Sequence, residues 1–131
     1  MKRSLFPVVL CASLMAPAAA IADIYLICNP SLTLSADDAR DVFIGEKQLA
    51  GGVKLAPFDN SAAQNEFLAK VLHMDAAKYS TLWTKKGFRE GLNAPAVKSS
   101  DLEVVANVKA NPGGVGYVTA PAAGVTVVRK Y

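Results

Sequence analysis

Ser100-Asp101-Leu102-Glu103-Val104-Val105-Ala106-Asn107-Val108-Lys109-Ala110-Asn111-Pro112-Gly113-Gly114-Val115-Gly116-Tyr117-Val118 reads as a capped helix, an abrupt stop and a strand. Ser100 and Glu103 form a capping box, in which a side-chain oxygen from each satisfies backbone N–H groups that have no partner within the helix. Leu102, Val105 and Ala106 fall on one face and are expected to point inward. Asn111-Pro112-Gly113-Gly114 stops the helix, because proline lacks the N–H and glycine reaches conformations closed to other residues. Val115 to Thr119 then continues as a strand.

Working outward, Ala120 to Gly124 is a turn and Val125 to Val128 a last strand. Toward the N-terminus, Asp23 to Cys28 is a short apolar run closed by Asn29-Pro30-Ser31, the pattern of a strand buried on both faces. Ser35 caps a helix that carries Asp37 and Asp38 in its first turn, where the dipole favours negative charge, and that buries Ala36, Ala39, Val42 and Phe43 before Gly45. Lys47 to Gly52 reads as a turn-rich connection, and Val53 to Phe58 as a second strand with Pro57 near its end. Asp59-Asn60-Ser61 is expected to open a helix with Ala63, Phe67, Leu68, Val71 and Leu72 inward, ending near His73. Asp75 starts another, with Ala76, Tyr79, Leu82 and Trp83 inward, and Gly87 to Lys98 reads as loop. Strands alternating with helices and then a closing strand pair predict an α/β fold, an open sandwich on a mixed sheet.

The first 22 residues have the layout of a cleaved signal peptide: Lys2 and Arg3, an apolar run from Leu5 to Ala16, and the small-residue site Ala20-Ile21-Ala22. The run is too short to favour a membrane span. Leu10 before Cys11 disfavours a lipoprotein signal, which requires a small residue there. Cleavage before Asp23 leaves 109 of the 131 residues as a single domain, 23–131, and lowers the formal charge from +3 to +1. Charge therefore predicts no nucleic-acid or membrane-surface partner. The expected location is periplasmic or secreted. Cys28, the remaining cysteine, is expected to be a buried thiol rather than half of an intermolecular bridge.

The helix, Asn111-Pro112-Gly113-Gly114 stop and Gly116-Tyr117-Val118 strand resemble the late part of the phosphate-binding proteins of ABC transporters, and of small stand-alone domains similar to them. A second stretch, Phe58 to Phe67, resembles the family's R-x-D-x-S-G-T-x-x-x-F junction. Asp59, Ser61 and Phe67 stand on its D, S and F. The resemblance implies a single lobe of a type II periplasmic solute-binding protein. It also implies a small oxyanion such as phosphate held at Asp59, Asn60, Ser61, Ala62 and Ala63 by helix-start N–H groups. An ABC transporter permease, or a second binding-protein chain completing the cleft, is the implied partner. Pro57 replaces the motif's arginine, Ala62 its glycine and Ala63 its threonine, so the main charge and one hydroxyl of that clamp are missing. Losing the arginine alone is worth about one to two powers of ten in affinity. Ser61 or Asn60 serves equally well as an ordinary helix cap.

Little else points to chemistry. Lys85, Lys86 and Arg89 form a basic cluster at a helix end, where cations complement the dipole. Trp83 and Phe88 are expected in the core. His73 has no partner at metal-ligand spacing, so no metal site is expected, and no residue set calls for a cofactor. No nucleophile elbow or phosphate-binding loop is present, and catalysis is not expected. Two readings remain: an exported solute-binding-like protein, or an envelope interaction module on the same fold that has lost its ligand.

Overall fold

The computed structural model describes residues 22–131. The signal peptide expected over 1–22 lies outside these residues apart from Ala22. The strand β1 (Tyr25–Cys28) lies inside a five-stranded sheet that also holds β4 (Ala56–Asn60), β5 (Ala96–Lys98), β6 (Gly114–Val118) and β7 (Thr126–Lys130). Its order is β5-β4-β6-β1-β7, with β4 parallel to both β5 and β6, and β1 antiparallel to both β6 and β7. This is the mixed α/β sheet that the alternation of strands and helices predicts.

Both faces of the sheet are covered, and the inner strands β1 and β6 bury alternate residues on opposite sides. Leu26 and Cys28 of β1 and Val115 and Tyr117 of β6 pack against the helices α1 (Ala36–Phe43), α2 (Gln64–Phe67) and α3 (Ala76–Glu90). The opposite face of the sheet, with Ile27, Phe58 and Val118, packs against Val104 and Val108 of α4 (Asp101–Ala110). On the first face Phe67 stacks on Tyr117 at 3.8 Å between centroids, and Phe43 meets both edge-on. Cys28 is buried as expected, and burial pushes its thiol pKa up.

Ser35 caps α1 by accepting from the Asp38 N–H at 3.0 Å, and Asp75 caps α3 in the same way through the Lys78 N–H at 2.8 Å. Ser100 accepts from the Glu103 N–H at 3.3 Å, but the Glu103 carboxylate reaches the Ser99 N–H rather than that of Ser100. A π-helical turn, Leu68–Leu72, continues α2 and ends on His73 with φ 54°.

Several expectations need correction. The run from Val53 to Phe58 is not one strand: β2 (Leu49–Ala50) and β3 (Val53–Lys54) form a separate hairpin, and β4 begins at Ala56. Pro57 lies inside β4 yet breaks no ladder. The Ala56 N–H donates toward β6, to the Gly113 carbonyl at 2.8 Å, so the next residue faces the β5 side, where pairing begins only at Phe58. Asp59 and Asn60 belong to β4, not to a helix start, and α2 begins at Gln64 without a side-chain cap. The expected loop from Gly87 is helical to Glu90, because the stop is Gly91 at φ 66°, and Ala96–Lys98 forms β5. Ala76 is exposed.

The inward face of α4 is also not the expected one. Val104 and Val108 are fully buried, whereas Leu102 is 80% exposed. Asp101, on the same face as those valines, sets the rotation: its carboxylate accepts from Asn60 Nδ2 at 2.7 Å and from the Thr119 N–H and hydroxyl at 3.0 and 2.7 Å.

Asn29 holds the other end of α4. Its side-chain amide donates to the carbonyls of Val108, Lys109 and Asn111 at 3.0, 3.2 and 2.8 Å, while its Oδ1 accepts from the Ser31 N–H and hydroxyl. These carbonyls belong to the last turn, where helical partners run out. Asn29→Ala is expected to lower stability by about 2–3 kcal/mol, because buried acceptors lose their donor. Urea unfolding followed by circular dichroism measures it, and a loss below about 0.5 kcal/mol would remove Asn29 from this role.

Candidate functional site

The junction after β4 is built from a buried end and an exposed bend. Asp59 is 2% exposed and Asn60 fully buried, whereas Ser61 and Ala62 are exposed and Ala63 turns back into the core. The backbone donors of the bend, Ser61 to Ala63, have partners within the chain. The Ser61 N–H donates to the Lys98 carbonyl at 2.8 Å, that of Ala62 to Asn60 Oδ1 at 3.1 Å, and that of Ala63 to the Asn60 carbonyl at 3.0 Å. Asn60 is thus a hub: its amide nitrogen joins Asp101 and the Tyr117 carbonyl while its oxygen shapes the bend.

Asp59 points into the core layer between β6 and α3. Its Oδ1 accepts from the Tyr117 hydroxyl and its Oδ2 from the Tyr79 hydroxyl, both at 2.9 Å. Burial raises the Asp59 pKa to about 6, and the two hydrogen bonds hold the rise in check. Burial and the nearby carboxylate push both phenols upward, so they keep their protons and act as donors. Neither tyrosine was identified from the sequence as a partner of Asp59. A signal was present, because a tyrosine inside an apolar strand such as Val115 to Val118 needs a buried acceptor for its hydroxyl.

An open cleft of about 380 Å³ lies beside the carboxyl ends of β4 and β5, lined in part by Asp59, Gln64, Tyr79, Ser80, Thr84 and Val97. Ligands of open α/β sheets gather at that end of the strands. A second cleft, of about 300 Å³, starts at the other end of β4, where Ala56 and Pro57 line it. Trp83 and Ala94 border both clefts. Trp83 is buried, its indole N–H donating to the Phe43 carbonyl at 3.0 Å.

The remaining residues singled out in the sequence are dispersed. Lys86 is paired with Glu46 at 3.0 Å and Glu90 at 3.1 Å, so only part of the basic cluster is available to a partner. Phe88 is 94% exposed and is not a core residue, because the extension of α3 to Glu90 carries it onto the outer face. Asn29, Pro30 and Ser31 do not border the Asp59 cleft. Among the described residues no group of three or more His, Cys, Asp or Glu side chains is placed to hold a metal, and no helix is long and apolar enough to cross a membrane.

No family model matches the sequence, and no curated protein matches it either. In structure the chain is similar to an ABC-type phosphate transport receptor from Vibrio cholerae, with 14% sequence identity and a TM-score of 0.49. The match covers 83% of this chain and 47% of the receptor, so this chain spans about half the receptor's length.

Proposed function

We propose that this chain is an exported, non-enzymatic recognition module on a solute-binding-like α/β fold, in which the junction from Asp59 to Ala63 braces the scaffold instead of gripping phosphate. The observation that carries this reading is the donor count. The Ser61, Ala62 and Ala63 N–H groups that would hold an oxyanion are each bonded inside the chain. Pro57, where the motif has arginine, also weighs against a dianion, because it supplies no charge.

Binding of phosphate or another small oxyanion, in connection with ABC-type uptake, is the second reading. It has one observation in its favour: Ser61 and Ala62 are exposed at the carboxyl end of β4. Calorimetric titration of residues 23–131 with phosphate and with sulfate separates the two. The expected result is no saturable heat at about millimolar phosphate, a concentration at which even a weak site of roughly 4 kcal/mol would register. Phosphate-selective heat that disappears in Ser61→Ala would overturn the proposal and place the oxyanion at the junction.

A further inference from the structure

We infer that the 300 Å³ cleft at the start of β4 binds a small apolar carboxylate. This rests on the recognition reading but not on the junction, which lies at the opposite end of β4. The apolar lining of the cleft includes Leu55 and Trp83, both buried. Its polar lining consists of Lys47, Lys54, Gln48 and Asn93: two ammonium groups and two amides. None of the lining side chains is acidic.

The charges there are largely available. Lys47 approaches Asp38 at a long 3.7 Å, with both side chains partly open to solvent, and a loose pair of this kind near the surface holds little energy. No ion pair involves Lys54 among the described residues, and its backbone is held in the β2–β3 hairpin against β2. The Gln48 side chain reaches the Gly45 carbonyl at a long 3.4 Å and remains free to turn toward a ligand.

The shape narrows the ligand. A volume of about 300 Å³ is at the small end of ligand pockets, enough for a body of roughly ten heavy atoms. An apolar lining joined by two lysines and no acidic side chain selects a molecule with a hydrophobic body and one negative end. A hydrated dianion such as phosphate would leave the Leu55 and Trp83 surface uncovered. A free organic acid and the carboxyl end of a peptide present the same chemistry to these lysines.

Trp83, the only tryptophan in the chain, borders the cleft and serves as the reporter. The experiment titrates residues 23–131 with phenylacetate, phenylacetamide and a short peptide ending in phenylalanine with a free carboxyl group, and follows Trp83 fluorescence. Phenylacetate is expected to give a saturable change with a Kd of about millimolar or tighter, and phenylacetamide to bind about tenfold more weakly. Lys54→Met, which keeps the apolar stem, is expected to cost about tenfold, whereas Lys85→Met, outside the cleft, leaves affinity unchanged. Tighter binding of the peptide than of phenylacetate would support the proposal and name a polypeptide terminus as the source; the reverse would support it and name a free acid. Equal affinity for acid and amide, an unaffected Lys54→Met, or no saturation by any probe would overturn it. Phosphate titration of the same samples keeps the outcome at the junction separate.

Discussion

Gly114→Ala is expected to remove about 3 kcal/mol or more of stability, a large share of the roughly 5–15 kcal/mol that holds a domain of this size. A Cβ on Gly114 would lie 2.6 Å from the Val108 carbonyl oxygen and 2.7 Å from the Val108 Cα. Both atoms belong to the α4 backbone, which cannot give way by a change of rotamer. Gly113→Ala is expected to be comparably severe, since its Cβ would overlap the Lys54 carbonyl oxygen and sit 2.9 Å from the carbonyl carbon. Gly51→Ala is the control: nothing lies within 4 Å of its Cβ, and only a φ of +55° opposes it, at about 1–2 kcal/mol. Urea unfolding followed by far-ultraviolet circular dichroism ranks the three. A Gly114→Ala protein within about 1 kcal/mol of its parent would rule out the close approach of α4 to β6.

Asp59 is expected to make the protein less stable as the pH rises from about 4 to 6. Its carboxyl titrates near 3.8 when unperturbed and at about 6 in the folded protein. Below the lower value both states hold the proton. Between the two values the folded protein keeps a proton that the unfolded chain has released, so the stabilisation it provides is lost as pH rises through the folded pKa. The change is on the order of 2 kcal/mol. Asp59→Asn cannot titrate and still fits between the hydroxyls of Tyr79 and Tyr117, each of which can accept as well as donate. The stability of the parent relative to Asp59→Asn should therefore fall between pH 4 and pH 7, while contributions from other carboxylates cancel in the difference. Parallel curves would show that Asp59 does not titrate in that window.

Features specified by neighbouring residues were legible in the sequence. Ser35, Ser100 and Asp75 each accept from a backbone N–H three residues on, and the apolar run containing Tyr25–Cys28 can satisfy itself only as a buried strand. Features fixed across the chain were not. The rotation of α4 is set by bonds from Asp101 to Asn60 and Thr119, 41 and 18 residues away, so a helical pattern rich in valine and alanine offered more than one plausible inner face. β5 is three residues long and exists because β4 pairs with it, a context that Ala96, Val97 and Lys98 do not announce. Glycines at 87 and 91 look alike in sequence, yet only the second adopts the left-handed conformation that ends α3. The site was legible only as a location. Asp59 and Asn60 do stand at the end of β4, but their partners are Tyr79, Tyr117 and Asp101, each at least 20 residues away.

The place of β1 in the sheet dictates an order of events. Tyr25 pairs with Val118 on one side and Lys130 on the other, so the first strand to be synthesised waits for the last two. Loop closure over that span is entropically costly and slows folding, because the contacts that repay it come only at the end. On a ribosome, a nascent chain that has not yet reached Gly114 holds β1 with neither neighbour. Until the last two strands are made, the apolar side chains of Leu26 and Ile27 have no sheet to bury them, and a chain stalled in between exposes an unpaired strand.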